Sequence, residues 1–199
     1  MVIFFWLILT YLLGAVPFGL IISKACCGID PREQGSGNIG ATNVHRLCRT
    51  KYGVLTLVLD VLKGFVPVWV AGMFSDSVFF LSLTALAAVC GHMFSVFLSG
   101  KGGKGVATWV GALAAVSFSG TVLCGLVFLG ALYIFNYVSL ASMAMVAFMP
   151  LVLLFQGMFT AIPTALVLMV LVFWKHSDNI QRLMAGKENP WRKCDSVAK

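Results

Sequence analysis

The sequence predicts an all-α integral membrane protein, a seven-helix transmembrane bundle with some short helices, its N-terminus outside and its C-terminus cytoplasmic. Three observations carry that expectation. Sixty per cent of the 199 residues are apolar and only 11 per cent charged, against about 25 per cent charged in ordinary soluble chains. Apolar stretches of membrane-spanning length recur along the chain. Short segments rich in Lys and Arg separate them in a pattern that fixes sidedness.

The first 22 residues, MVIFFWLILTYLLGAVPFGLII, are long enough to cross a hydrocarbon core of about 30 Å, and they lack the basic start and small-residue cleavage site of a secretory signal. They read as a retained helix over 2–23 in which Pro17 is tolerated, because neighbouring helices can satisfy the carbonyl it frees. Further spans are expected at 53–73, 78–98, 138–155 and 160–174, with another apolar tract over 105–135. As one straight helix that tract would be about 45 Å long, well beyond the core. A break is expected at Ser-Phe-Ser-Gly, 117–120, leaving two halves, each short for a span, one of them partial or re-entrant.

Charge supports the break. Lys24, Arg32, Arg46, Arg49 and Lys51 lie in one loop, Lys101 and Lys104 in another, and Lys175, Arg182, Lys187, Arg192, Lys193 and Lys199 in the tail. Basic loops stay on the cytoplasmic side. All three groups share a side only if the 105–135 tract crosses twice. With no internal repeat or linker, residues 1–199 read as one membrane-embedded domain.

Several function classes drop out. Cys26, Cys27, Cys48, Cys90, Cys124 and Cys194 show no metal-type spacing, adjacent Cys26 and Cys27 are poor partners for one another, and free thiols are expected. Three histidines without a carboxylate cluster give no metal site, and no cofactor is expected. The net charge of +7 follows from topology and is not a nucleic-acid signature.

Four polar stretches meet on the cytoplasmic face under this topology: GSGNIGATNVHR (35–46), SGKGGKG (99–105), NYVS (136–139) and KHSDN (175–179). In the first, Gly35, Gly37 and Gly40 allow backbone N–H groups to turn toward a ligand, Ser36, Asn38, Thr42 and Asn43 add neutral donors, and Arg46 offers a bidentate fork. Such donors suit phosphate oxygens; an ordinary Gly/Ser/Asn turn is the alternative. GKGGKG formally fits G-x-G-x-x-G, but a membrane helix rather than a strand precedes it, and neither lysine is followed by Ser or Thr as a Walker A loop requires. What remains is an anion site of closely spaced glycines and two ammonium groups at a helix start. Lys104, flanked by Gly103 and Gly105, is read as a ligand contact, whereas Lys101 fits a membrane-side anchor equally well.

Asp60 and Lys63 share a face inside the second span, as a functional pair or a structural one, and Lys63 is near enough to a helix break to reach a loop carbonyl. His92, in the third span, serves function or interhelical hydrogen bonding. His176 and Asn179 follow the last span at a helix end facing the same loops. Ser139 and Ser142 share a face, with Ser142 read as a helix-to-helix hydrogen bonder.

Taken together, GSGNIGATNV, LDVLKG, GHMFSVFLSGKGGKGVAT, YVSLASM and NIQRLMAGKEN resemble the successive signatures of the bacterial acyl-phosphate-dependent glycerol-3-phosphate acyltransferases, the PlsY family, over residues 10 to 190. Five motifs in order make this specific; Pro31 after Asp30 and Asn136 before the tyrosine are minor departures. The resemblance implies a multi-pass enzyme of the bacterial inner membrane, its active site facing the cytoplasm, that moves a fatty acyl group from acyl phosphate to the 1-hydroxyl of glycerol 3-phosphate. Lysophosphatidic acid and phosphate are the products, with membrane lipid as the surroundings. Matched by motif, the phosphate- and substrate-binding positions fall on Ser36, Asn38, Thr42, Asn43, Arg46 and Lys104, with Ser139, His176 and Asn179; read from the residues, the loop glycines Gly37, Gly40 and Gly103 join the substrate-binding set, and Lys104, Asn38 and His176 are the expected catalytic residues.

Chemistry read from the residues agrees. Two phosphorylated substrates held by backbone donors, Arg46 and Lys104 would meet in an oriented way, and the remaining need is electrostatic. The H-x-x-x-x-D pair of other acyltransferases is absent, since Phe97, Gln181 and Thr50 stand five residues after His92, His176 and His45. An organic-phosphate transporter is the main rival, but it would place polar groups at the midplane in related halves. A structural membrane subunit would need no such gathering of Ser, Asn, Arg and Lys.

Overall fold

In the computed structural model, which describes residues 1–192, ten α-helices and two short 3-10 turns account for the regular structure of the described residues. The helices are α1 (Val2–Ala15), α2 (Phe18–Cys27), α3 (Ala41–Leu47), α4 (Thr50–Gly72), α5 (Val78–Met93), α6 (Val106–Val116), α7 (Phe118–Phe135), α8 (Val138–Phe155), α9 (Ile162–Lys175) and α10 (Ser177–Met184). Val2–Cys27 (α1 with α2), Thr50–Gly72, Val78–Leu98 (α5 with the turn that follows), α7 and α8 are each long and apolar enough to cross a bilayer.

The first apolar stretch is not one continuous helix. It breaks at Val16–Pro17, because a proline ring cannot sit inside the α1 ladder without displacing a carbonyl. The freed carbonyls are satisfied by neighbours, as a bilayer demands. Lys63 Nζ in α4 donates to Val16 O at 2.8 Å, and Ser95 Oγ donates to Ala15 O at 2.5 Å.

The 105–135 tract breaks where its length requires. Ser117 adopts an extended backbone (φ −151°) between α6 and α7, and its Oγ accepts from Gly120 N, an N-cap that starts α7. The same hydroxyl donates to Gln156 Oε1 at 2.8 Å, while Gln156 Nε2 donates to Ser119 Oγ at 3.0 Å. The break is thus tied to the end of α8. The two halves differ: α7, with 18 residues, reaches about 27 Å, whereas α6, with 11, reaches only about 16 Å.

The short helix is supported by protein. α6 packs most heavily on α4, as α1 does on α5 and α7 on α8. Lipid gives helices no hydrophobic reason to associate, so close backbone approach and dispersion must hold them. Gly64 of α4 and Gly111 of α6 provide that approach. A Cβ on Gly64 would overlap the Thr108 carbonyl oxygen, and one on Gly111 would overlap that of Val61. A buried core of Val89, Met93, Trp109, Leu113, Met145 and Val146 joins α5, α6 and α8, while Leu126, Leu129 and Ile134 of α7 face outward.

One expectation about cysteine is corrected. Cys27 and Cys48 are disulfide-bonded across a Cα–Cα distance of 6.2 Å, within the range that bridging requires. The pairing closes the segment that runs from the end of α2 to the end of α3, a meeting of chain ends that spacing alone does not reveal. Cys26, Cys90 and Cys124 are free; Cys194 lies outside the described residues.

Candidate active site

The loop from α2 to α3 is organised around one side chain. Asn43 is buried; its Nδ2 donates to Pro31 O (2.9 Å), Gln34 O (3.1 Å) and Asn38 O (2.9 Å), and its Oδ1 accepts from Ser36 N (2.9 Å). Asn43, expected at the substrate, is here the residue that holds the loop. Its hydrogen-bonding capacity is spent on shaping the loop, because an unpaired buried amide would cost more than it offered a ligand. Gly35 and Gly37 make the turns at φ 63° and 69°. Asn38 Oδ1 accepts from Gly40 N at 2.8 Å, leaving Nδ2 without a partner among the described residues. Ser36 and Arg46 are exposed and Thr42 is half-buried in the first turn of α3.

The second loop is clamped to the end of α5. Gly102 N donates to Met93 O at 3.2 Å and Gly103 N to His92 O at 3.1 Å. Gly103 is buried, and Gly105 at φ 79° turns the chain into α6. Lys104 projects from this clamp and donates to Asn179 Oδ1 of α10.

From there the contacts run on to a carboxylate that sequence reasoning passed over. Glu188 Oε1 accepts from Asn179 Nδ2 (2.6 Å) and Ser139 Oγ (2.9 Å), and its Oε2 accepts from Arg182 Nε (2.7 Å). Ser139 thus gives its proton to Glu188, because a carboxylate withdrawn from water must be surrounded by donors. The orientation of Asn179 follows from its partners: an ammonium only donates and a carboxylate only accepts, so Oδ1 faces Lys104 and Nδ2 faces Glu188. Among the described residues Ser142 bonds its own helix alone, to Val138 O at 2.8 Å.

Beyond Glu188 the tail turns back across the site. Trp191 N donates to Asn136 O at 2.8 Å, Arg192 N to Asn136 Oδ1 at 2.9 Å, and Asn136 Nδ2 to Arg192 O at 2.9 Å. The Trp191 ring stacks on His45 of α3, with centroids 6.0 Å apart.

Electrostatics draw all four polar stretches together. Burial lowers the Lys104 pKa to about 8, with Glu188 and Asp178 opposing the shift and Arg182 and Arg46 adding to it. Burial, and then the Lys104 ammonium, hold His176 at about 4, so its ring is neutral near pH 7. His176 Nδ1 lies 2.8 Å from Val172 O; a carbonyl can only accept, which places the proton on Nδ1 and leaves Nε2 an acceptor. Burial works to raise Glu188, but hydrogen bonds from Arg182, Asn179 and Ser139 hold it below the ordinary carboxylate range. Three cations, Lys104, Arg182 and Arg46, that feel one another's charge beside a constrained carboxylate make a site for a multiply charged anion. No cluster of three or more His, Cys, Asp or Glu with metal-binding geometry occurs among the described residues.

Comparison with known proteins points the same way. A family model described as glycerol-3-phosphate acyltransferase matches residues 4–186. A glycerol-3-phosphate acyltransferase from Nitratidesulfovibrio vulgaris is 54% identical over 188 residues, covering 94% of the chain and 58% of that longer relative. One from Lawsonia intracellularis is 44% identical, covering 96% of the chain and 97% of the relative. The crystal structure of PlsY, an integral membrane glycerol 3-phosphate acyltransferase, in its glycerol 3-phosphate form superposes with a TM-score of 0.92 at 42% identity over 100% of both chains. Its lysophosphatidic acid form gives 0.88 at 44% identity, covering 96% of this chain and 95% of that one.

Proposed function

The chain belongs to the glycerol-3-phosphate acyltransferase family, and from that premise we propose that its polar cleft joins a fatty acyl group, delivered as acyl phosphate, to the 1-hydroxyl of glycerol 3-phosphate. The observation that carries this reading is the convergence of Arg46, Lys104, His176, Asn179 and Arg182 from three separate parts of the chain on one partly buried polar cluster. The chain crosses the bacterial inner membrane seven times, with α1 and α2 one crossing and short α6 another. Its N-terminus is outside, and the cleft and C-terminus are in the cytoplasm; the gathering of the basic segments at one end of the bundle supports that orientation.

The reaction needs little from the protein beyond placement and charge. The glycerol hydroxyl oxygen attacks the acyl carbonyl carbon, the bond from that carbon to the phosphate oxygen breaks, and lysophosphatidic acid and phosphate leave. Arg46 and Lys104 hold phosphate oxygens, while Lys104 and the unpartnered Asn38 Nδ2 supply donors to the oxyanion and the departing phosphate. The hydroxyl proton passes to a phosphate oxygen of a substrate. A histidine with a pKa of about 4 is a poor base, so His176 positions rather than deprotonates.

Incubation of purified protein with palmitoyl phosphate and glycerol 3-phosphate, with palmitoyl-CoA as a parallel donor, is expected to give lysophosphatidic acid from the phosphate donor only. Transport of glycerol 3-phosphate into sealed vesicles without acylation would replace the enzyme reading with the transporter. His176→Gln is expected to retain measurable turnover at saturating substrates, and its complete loss with binding intact would make the ring the base.

The pH dependence has a definite sign. Lys104 must be cationic to hold phosphate, and its lowered pKa means that it is charged below about pH 8 and neutral above. Plotted against pH, kcat/KM is expected to fall on the alkaline side of about 8, since that ratio reports the free enzyme. A profile flat to pH 10 would remove Lys104 from phosphate binding.

A further inference from the structure

Asp60, Lys63 and His92 have no part in the chemistry above, yet they are buried inside the bundle, with side chains only 2%, 4% and 4% exposed. Charges in such a place call for partners. Lys63 has two: Asp60 Oδ1 at 2.8 Å, as an ion pair, and the Val16 carbonyl freed by Pro17. That accounts for the lysine as an element of the fold. His92 is placed differently, because it stands directly beneath the loop that carries Lys104.

The ring is fixed on one side and bears on the loop with the other. Its Nδ1 lies 3.2 Å from Thr108 Oγ1 of α6 and 3.7 Å from Asp60 Oδ1 of α4. A carboxylate accepts only, so the arrangement that serves both neighbours puts the proton on Nδ1. Nε2 then lies unprotonated against Gly103, so closely that a Cβ there would overlap it. The same residue grips the loop through its main chain, where His92 O accepts from Gly103 N at 3.1 Å. The chain position that follows is Lys104.

We propose that the Asp60–His92 pair, with Thr108, is a positioning device that sets the height of the Gly102–Gly103 backbone and so places the Lys104 ammonium against Asn179 and the bound phosphate. The inference rests on the acyltransferase reading for its kinetic consequence, although its geometry does not. His92 touches no substrate in this scheme. It acts through the loop, as carboxylate-oriented histidines fix the partners of a reactive group one shell away.

Two readouts separate the proposal from a merely structural role and from the functional reading itself. In purified, monodisperse His92→Ala, the KM for glycerol 3-phosphate is expected to rise and kcat to fall, each by about tenfold, because a displacement near 1 Å at a charge clamp carries a penalty of up to about a hundredfold. His92→Asn, whose amide Nδ2 can stand in for Nδ1 toward Thr108 and Asp60, is expected to recover most of both. Thr108→Val, which keeps the size and removes only the hydroxyl, serves if the alanine variant does not fold; a KM rise of about threefold is expected, as a lone neutral hydrogen bond warrants. The second readout needs no turnover: brief acetylation followed by mass spectrometry is expected to show the Lys104-to-Lys101 labelling ratio changed in His92→Ala relative to the unaltered protein. If KM, kcat and labelling of folded His92→Ala and Thr108→Val all stay within twofold of the unaltered protein, the positioning role is overturned. If the unaltered protein forms no lysophosphatidic acid but the labelling ratio still shifts, the positioning role stands and the acyltransferase reading falls.

Discussion

Lys104→Ala is expected to lower lysophosphatidic acid formation by about 10²- to 10³-fold, the penalty typical of removing one preorganised donor from a charge-stabilising site. The loss should appear at normal levels of protein in the membrane, since Lys104 stands in a loop and bridges no helices of the core. Its removal also unpairs Asn179 Oδ1 and takes away the ammonium that helps to keep His176 neutral. Lys104→Arg should recover little, because a planar fork cannot take the place of a compact ammonium held in a glycine clamp. Lys101→Ala provides the contrast. That side chain is exposed, and near-normal activity is expected. Equal losses at both lysines would mean that net loop charge matters rather than the geometry at Lys104.

The second large effect is on the fold. Gly64→Ala or Gly111→Ala sets a Cβ against a main-chain carbonyl of the facing helix, and neither backbone can yield as a flexible side chain would. The expected cost is about 3 kcal/mol or more, at or above the upper end for overpacking, seen as loss of monodisperse protein and a lower Tm in detergent. Gly125→Ala and Gly130→Ala in α7 meet nothing within 4 Å. There the substitution should be neutral or stabilising by about 0.5–1 kcal/mol, the helix preference of Ala over Gly. Similar melting temperatures for all four variants would show that α4 and α6 do not rely on backbone contact.

These contrasts show which parts of the molecule can be read from local sequence. The break at Ser117 was legible because two constraints met there: the tract was too long for the membrane, and Ser-Phe-Ser-Gly supplied both a cap and a turn. The break at Pro17 was not, since proline inside a membrane helix is compatible with a kink, a break or neither, and the outcome depends on Lys63 and Ser95, which sit far along the chain. The four polar stretches announced a shared site through their composition and sidedness. Individual roles were harder. Asn43 looks like a donor for a ligand, but which way an amide faces is decided by carbonyls at positions 31, 34 and 38. Glu188 sits in a tail rich in Lys and Arg, where a carboxylate reads as one more solvated charge. Its importance comes from Ser139 and Asn179, which the fold brings to it from α8 and α10. The Cys27–Cys48 bond escapes the sequence for the same reason, being a property of where two helix ends meet.

The seam between α4 and α6 has a mechanical consequence. At Gly64 and Gly111 main chain rests on main chain with no side chain between, so at those two points the cylinders have no soft layer to absorb a roll or a slip. The returning tail is held by lighter ties, a ring stack of Trp191 on His45 of α3 and bonds at Asn136 that can open one at a time, so it yields before that seam does.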